Sequence, residues 1–380
     1  MSTAHDRPTA AVSNHRIVLL APVPPPSGGM ALQARQLEAL LRADGNSVVL
    51  VPSNYPLPAR LRFAERMRGV RAVFRSLLLW AALWRELGRA DVLHVLAASW
   101  LYFFIVVYPA VLLAWLRGKR IVLNYRGGEA GPFFERYGWL AGPVFALSDV
   151  VTAPSRFLME LIGTRFGVKV KIVPNTLNSS VFRFRSRTAF RPRMIVSRQL
   201  ERLYDIETAL RAFRLVQQRY PDASLWIAGE GSQKQYLEGL AAEWKLSNVR
   251  FLGQVSHNEL PTIYDQCDVL LNASLADNFP GSLMEASAAG LAVVTTGVGG
   301  IPYVYTHEKT ALLVEPGDWR AMADAVCRVV EEPQFSSRMT REAAALAKAC
   351  EWSEVRKSLY RTYAGSADDP TEMEQPCIAG

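Results

Sequence analysis

The chain has 380 residues, 50% of them hydrophobic and 21% charged, with a formal net charge of +8. That length fits two domains of ordinary size, and that apolar content fills substantial cores, which excludes a disordered chain. Four cysteines without a CxxC pair and five histidines without ligand spacing exclude a disulfide scaffold and argue against a structural metal, so a reducing, cytoplasmic setting is expected.

Residues 1–14, MSTAHDRPTAAVSN, lack the apolar core of a secretory signal and read as a disordered lead-in. RIVLLAP then reads as a buried strand, PVPPPSGG as a rigid loop, MALQARQLEALLRAD as a helix stopped by Gly45, and SVVLVP as the next strand. In the following stretch Arg60, Arg62, Arg66, Arg68, Arg71 and Arg75 precede Leu77, Leu78, Leu79, Trp80 and Trp84. A basic, apolar helix of this kind either covers a core or seeks an anionic membrane surface. Residues 1–180 hold 21 Lys and Arg against 10 Asp and Glu, a net +11, and the remainder is −3, so the basic balance belongs to the first half. No aromatic-interleaved basic motif points to nucleic acid.

Val92 to Leu116 contains no Asp, Glu, Lys or Arg and at 25 residues is long enough to span a bilayer. Asp91 before it, His94 and Pro109 inside it and KRIVLNYRGG after it favour a buried strand and helix. Further strands fit DVLHVLA, RIVLNYR, DVVTAPS and VKIVPN, which makes residues 15–180 one doubly wound α/β domain. After an Arg-rich connector, 181–192, the pattern restarts with MIVSRQL, SLWIAGEG, VRFLGQV, CDVLLNAS, LAVVTTGVGG and TALLVEPG, separated by helices. Residues 193–345 therefore form a second parallel α/β domain. EWSEVRKSLYRTYAG, within 346–365, is expected to return as a helix to the first domain, and 366–380 reads as a disordered tail. Two such domains leave a cleft at the carboxyl ends of their strands, where ligands bind in this architecture.

Several loops fall at that cleft. Gly28 and Gly29 follow the first strand, where a turn or a close approach of an anion to backbone N–H groups are both open readings. Gly297, Gly299 and Gly300 form either a tight turn or another anion loop, and Gly229 and Gly231 lack the rest of a dinucleotide fingerprint. Arg198 follows the strand MIVS and suits a diphosphate, since it stays charged and forms paired hydrogen bonds; a surface arginine is the plainer reading. DNFPGSLMEASAAG places Asp277 in a loop and Glu285 just over a turn into a helix running from Ser282 to Ala289, with Pro280 at its first position and Gly290 as its stop. Beside a helix N-terminus two acids suggest recognition of hydroxyls around a phosphate; a capping acid and a helix Glu are the alternative.

The order of these motifs, from the GG loop through VSRQLERLYDIETALRAF to DNFPGSLMEASAAGLAVVTTGVGGIPYV and TALLVEPGD, resembles glycosyltransferase family 4, of the GT-B fold, over residues 15 to 365. That resemblance implies a retaining enzyme that takes sugars from nucleotide donors, most often UDP-sugars, with no cofactor and no required metal. It implies Glu285 on the ribose hydroxyls, Asp277 on the donor sugar, the segment Asn278, Phe279, Pro280, Gly281 and Ser282 along that sugar, Arg198 and the Gly28–Gly29 loop at the diphosphate, and Leu252 and Gly253 near the base. The chain departs from the family pattern at three points: Asp277 is a methylene shorter than the usual Glu, Tyr204 stands about where a Lys is usual, with Arg202 as a possible substitute, and Arg126 stands where many members carry a His. No catalytic base is assigned. The implied partners are a nucleotide-sugar and a lipid-linked or growing glycan acceptor; separately, the +11 first half and the Arg-rich helix suggest peripheral contact with the inner face of an anionic membrane through Arg60 to Trp84. An epimerase of the same fold and an inactive nucleotide-sugar-binding protein are the alternatives.

Overall fold

Short apolar runs alternate with amphipathic stretches along the chain, and a run with no polar face is stable only as a strand covered on both sides. The computed structural model describes residues 15–24, 28–58, 68–178 and 181–364, so the lead-in, the tail, and Arg60, Arg62 and Arg66 lie outside the described residues. The first domain contains strands β1 (Arg16–Ala21), β2 (Ser47–Pro52), β3 (Val92–Ala97), β4 (Arg120–Tyr125), β5 (Val150–Ala153) and β6 (Val170–Ile172). Its helices are α1 (Gly29–Ala43), α2 (Arg68–Leu87), α3 (Tyr108–Leu116), α4 (Ala130–Leu147) and α5 (Arg156–Phe166). The strands form one parallel sheet in the order β2-β1-β3-β4-β5-β6.

The second domain repeats the scheme with β7 (Arg193–Ser197), β8 (Ser224–Ala228), β9 (Val249–Gly253), β10 (Val269–Asn272), β11 (Ala292–Thr296) and β12 (Leu312–Val314). Its sheet is also parallel, ordered β12-β11-β10-β7-β8-β9. Helices α6 (Ile206–Arg219), α7 (Lys234–Glu243), α8 (Leu260–Gln266), α9 (Gly281–Ala289), α10 (Trp319–Glu331) and α11 (Pro333–Lys348) cover it, and α12 (Trp352–Ala364) follows. The chain reverses direction across the sheet between β1 and β3 in one domain and between β7 and β10 in the other. At such switch points the loops diverge and leave a crevice.

Each sheet has a core on both faces. In the first domain α2 to α5 enclose one cluster around Phe103, Phe133 and Phe145, and α1 with α12 encloses the other around Leu19, Leu37 and Val122. The chain thus crosses back at its end: Val355, Leu359 and Tyr363 of α12 join the first domain's core, and Arg120 donates to the Thr362 carbonyl at 2.9 Å. The outward and return crossings run together, with the Leu177 N–H bonded to the Cys350 carbonyl at 2.7 Å.

The apolar segment from Val92 to Leu116 divides into β3, a π-helical turn at Phe103–Val107 and α3. No helix among the described residues is long and apolar enough to cross a membrane. The connector does not hang free between the domains. Arg185, Arg187 and Arg193 converge on the buried carboxylate of Asp268 at 2.8, 2.9 and 2.9 Å. Arg187, itself buried, also donates to the carbonyls of Ala289 and Gly290, which end α9. The arginines that mark this stretch in the sequence therefore fasten it beneath the second domain.

A candidate donor site between the domains

The cleft between the two domains encloses about 780 Å³. Its second-domain wall is built around Arg198, which lies one residue beyond β7 at the switch point. The guanidinium donates to Asn272 Oδ1 at 3.0 Å, at the end of the neighbouring strand β10, and to Ser274 Oγ at 3.3 Å, just past it, and the Tyr204 ring lies 4.7 Å away against it. It is also ion-paired with Asp277. Burial lowers the Arg198 pKa, yet an arginine shifted from so high a value keeps its charge. The result is a cation held from three sides, with its remaining face toward the cleft.

Two helices begin at this cleft. α1 starts at Gly29 and α9 at Gly281, and neither N-cap residue, Gly28 or Pro280, supplies a side-chain hydrogen bond to the first turn. Pro280 is the cap and not the first helical residue, one position from where the motif suggests. Gly28, Gly29, Asn278, Phe279, Pro280, Gly281 and Ser282 all line the cleft. The Ser282 hydroxyl is buried without a hydrogen-bond partner. Free N–H groups at two helix starts and an unsatisfied hydroxyl make an anion-receptive surface opposite Arg198.

Glu285 sits a turn into α9 with 17% of its side chain exposed, 3.5 Å from the Tyr264 hydroxyl and 3.8 Å from His257 Nδ1. Burial raises its pKa to about 7, against the opposing pull of Tyr264 and Arg198. Burial also lowers the His257 pKa, which favours the neutral imidazole. The Asp277 loop is braced from behind by the glycines after β11. The Gly300 N–H donates to the Asp277 carbonyl at 2.9 Å. A Cβ on Gly299 or Gly300 would fall 2.0 Å from the Asp277 carbonyl oxygen or 2.1 Å from that of Asn278. Gly299 and Gly300 thus permit a close backbone contact with the acid loop. Gly229 does likewise: a Cβ there would lie 1.8 Å from the Arg198 carbonyl oxygen.

The first-domain wall presents Arg126, which donates to Asn124 at 3.0 Å and to Asn175 at 2.8 Å. Burial lowers its pKa to about 10, so it remains cationic at neutral pH. Asn175 in turn donates to the Phe279 carbonyl at 2.9 Å, and the Asn278 amide donates to the Gly127 carbonyl. Asparagine side chains thus join the two walls where the acid loop meets the arginine. Deeper in the first domain, buried His94 meets the Tyr363 hydroxyl at 2.7 Å and is kept neutral by burial, its pKa lowered to about 3.

Three sequence expectations shift. Arg202 is exposed and does not line the cleft, whereas Leu203 and Tyr204 of the same turn do. Leu252, partly buried, packs against the core, the Gly253 carbonyl accepts from the Gly229 N–H at 2.8 Å, and neither lines the cleft. The wall there is made by Gln254 to His257, because β9 carries the chain as far as Gly253. Asn175, Gln199 and His257 were not singled out by sequence; the available signal was only their position in the loops after strand ends.

The comparisons with known proteins agree with this architecture. Residues 183–346 match the family model "Glycosyl transferases group 1" and residues 27–181 match "Glycosyltransferase Family 4". Glycogen synthase of Mycobacterium tuberculosis is 26% identical over 387 residues, spanning 88% of this chain and 91% of that protein. D-inositol 3-phosphate glycosyltransferase of Corynebacterium urealyticum is 31% identical over 182 residues, 46% of this chain and 43% of that protein. Among solved structures, sucrose-phosphate synthase from Thermosynechococcus elongatus superposes with a TM-score of 0.72 at 20% identity, covering 92% of this chain and 99% of its own. HepE from Anabaena, in complex with UDP and glucose, gives 0.71 at 16% identity with the same coverages. The facing parallel-sheet domains are the GT-B fold, both halves are accounted for by the two models, and the chain belongs to the group 1, family 4 glycosyltransferases.

Proposed function

We propose that the protein transfers a sugar from a UDP-sugar to a hydroxyl of a lipid-linked or growing glycan acceptor, with retention of anomeric configuration and without a metal. The observation that carries this reading is Arg198, fixed at the switch point between Asn272, Ser274 and Tyr204 while facing the uncapped starts of α1 and α9. A nucleoside diphosphate placed there would meet one fixed cation and two sets of free N–H groups, and Glu285 lies where ribose hydroxyls could donate to it. The UDP-bound HepE neighbour supports the same choice of ligand class by analogy of fold.

In the proposed reaction the bond between the sugar's anomeric carbon and the diphosphate oxygen breaks, and UDP leaves with the electron pair. The acceptor oxygen bonds to that carbon on the same face, and its proton passes to the departing phosphate oxygen. Charge growing on the diphosphate is stabilised by Arg198 and the helix starts. No side chain is needed as a base, which accommodates Arg126 where an imidazole is common: an arginine that remains charged can steer the diphosphate or the acceptor but cannot take the proton. Asp277 is drawn to Arg198, so sugar hydroxyls compete with that cation for its carboxylate.

Incubation of the protein with a set of UDP-sugars and lipid-linked acceptors, followed by NMR of the product's anomeric proton, tests the reading. An α-linked product from an α-linked donor is expected. Inversion, conversion of the donor to an epimer, or donor binding with no transfer across the acceptor set would each refute it.

A further inference from the structure

The exterior of the first domain carries a feature the cleft does not use. Along α2, Val73, Leu77, Ala81 and Trp84 are exposed at successive intervals of four, four and three residues, which puts them on one outward face. An outward helix face is ordinarily polar. α3 packs against both α2 and α4, and all three continue the pattern. Leu112, Trp115 and Leu116 are exposed on α3 and Trp139 on α4, the three tryptophans being 44%, 53% and 75% exposed in chain order. Arg117 lies 3.7 Å over the Trp84 ring and joins α2 to α3.

The charges around this apolar face are predominantly positive, with exposed Glu135 on α4 offset by its neighbour Arg136. Residues 68–120 hold eight Lys and Arg against two acids, and both acids are engaged: Glu86 with Arg85, and Asp91 with the Arg16 N–H at 3.0 Å. The face also reaches the cleft. Leu101, 69% exposed, follows Trp100, whose backbone sits in the left-handed region at φ 63° and whose indole donates to Glu129 at 2.8 Å, next to cleft-lining Gly128. A bulky residue held in that conformation costs about 1–3 kcal/mol, so the surrounding contacts fix this corner.

We infer that the outer face of α2, α3 and α4 docks on an anionic lipid bilayer and presents a bilayer-held acceptor to the cleft beside Gly128 and Arg126; the acceptor part rests on the function proposed above. Indole rings settle at the headgroup level, leucines enter the acyl boundary, and the basic rim is attracted to anionic headgroups. The net positive charge favours anionic lipid over a second copy of the chain, since two such faces brought together would repel one another.

The test uses the full chain at low salt with sedimented vesicles of phosphatidylcholine alone or with phosphatidylglycerol added. Wild type is expected to follow the anionic vesicles about tenfold or more better than the neutral ones, and to be released as salt rises. Trp115→Ser combined with Trp139→Ser, both distant from the cleft lining, is expected to lose about tenfold in partitioning while keeping its UDP-dependent thermal shift. Tyr236→Ser on the exposed face of the second domain is the matched control and is expected to bind vesicles as wild type does. Absence of vesicle binding at low salt, equal binding to neutral vesicles, or binding undiminished in the double variant overturns the inference. A dimer that the double variant abolishes also overturns it. Loss of the UDP shift in wild type would instead refute the donor site and leave the vesicle result standing.

Discussion

The two domains share a plan, six parallel strands covered on both faces, and differ in what they do with charge. The second domain turns charge inward. Three arginines surround Asp268 beneath its sheet, and Arg198, Asp277 and Glu285 gather at its switch point. Its exposed large hydrophobics are few among the described residues: Phe184, Tyr236 and Leu275. The first domain keeps its basic residues outside, around exposed tryptophans and leucines, and brings mainly glycine N–H groups and Arg126 to the cleft. Under the proposed function one architecture divides the labour: the second domain would hold a small charged ligand, and the first would offer a broad surface on which the other substrate arrives.

The sharpest way to break this division is to exchange effects between the walls. Arg198→Ala is expected to lower the transfer rate by about 10²–10³, the usual cost of removing a donor to a developing anion. Arg126→Ala, on the opposite wall, is expected to cost about tenfold, mainly in KM for the acceptor. Equal losses measured in steady-state kinetics would mean that both domains share the diphosphate.

Asp268→Asn tests the inward charge as structure and not as chemistry. Removing one member of a buried ion cluster leaves its partner uncompensated, and a loss of about 3–5 kcal/mol in unfolding free energy is expected. Denaturant melts should place that loss in the second domain, with the first domain's transition unmoved.

A pH series separates the acids. The Glu285 pKa is raised to about 7 by burial, so the empty site holds a largely neutral carboxyl at pH 6 and a carboxylate at pH 8. If ribose hydroxyls donate to the carboxylate as proposed, donor affinity is expected to improve by up to about tenfold between pH 6 and pH 8, in proportion to the ionised fraction. Glu285→Gln should flatten the part of the profile that UDP's own ionisation does not explain. The sign for stability is opposite. Because the folded pKa lies above the unfolded value, stability is lost as pH rises from the ordinary carboxylate range through 7. Glu285→Gln is therefore expected to stabilise the protein by about 1–3 kcal/mol at pH 8 and very little at pH 4.

The smallest expected effect lies between the walls. Asn278→Ala removes the amide that reaches Gly127, and a loss of about 1 kcal/mol in the closed arrangement should appear as a several-fold rise in donor KM with kcat little changed.

Much of this division was legible in the sequence. Continuous apolar strands such as LAVVTT and DVLHVLA announce a sheet covered on both faces, and small residues after Glu285 announce a closely packed helix ending at Gly290, whose φ is 77°. Arg198, which follows its strand directly, and Gly28, at the start of the helix after β1, could be placed because topology fixes where strand ends point and where the next helix begins. Residues one loop further on could not: Arg202 and Tyr204 are two positions apart, and only the fold of a short turn decides which of them lines the cleft. Long-range polar pairings such as Asn175 with Phe279, or Arg187 with Asp268, leave no periodic trace. The apolar outer face was half visible, as an arginine-rich helix. Its part on α3 reads in the sequence as a buried helix, because an apolar run looks the same whether or not the rest of the protein covers it.

The most direct measurement of the central claim is isothermal titration of UDP into wild type, Glu285→Ala and Arg198→Ala at pH 8. Saturable, one-to-one binding to wild type that weakens about tenfold or more in each variant is the predicted result. Binding of UDP with equal affinity to all three proteins would place the nucleotide elsewhere and contradict the account.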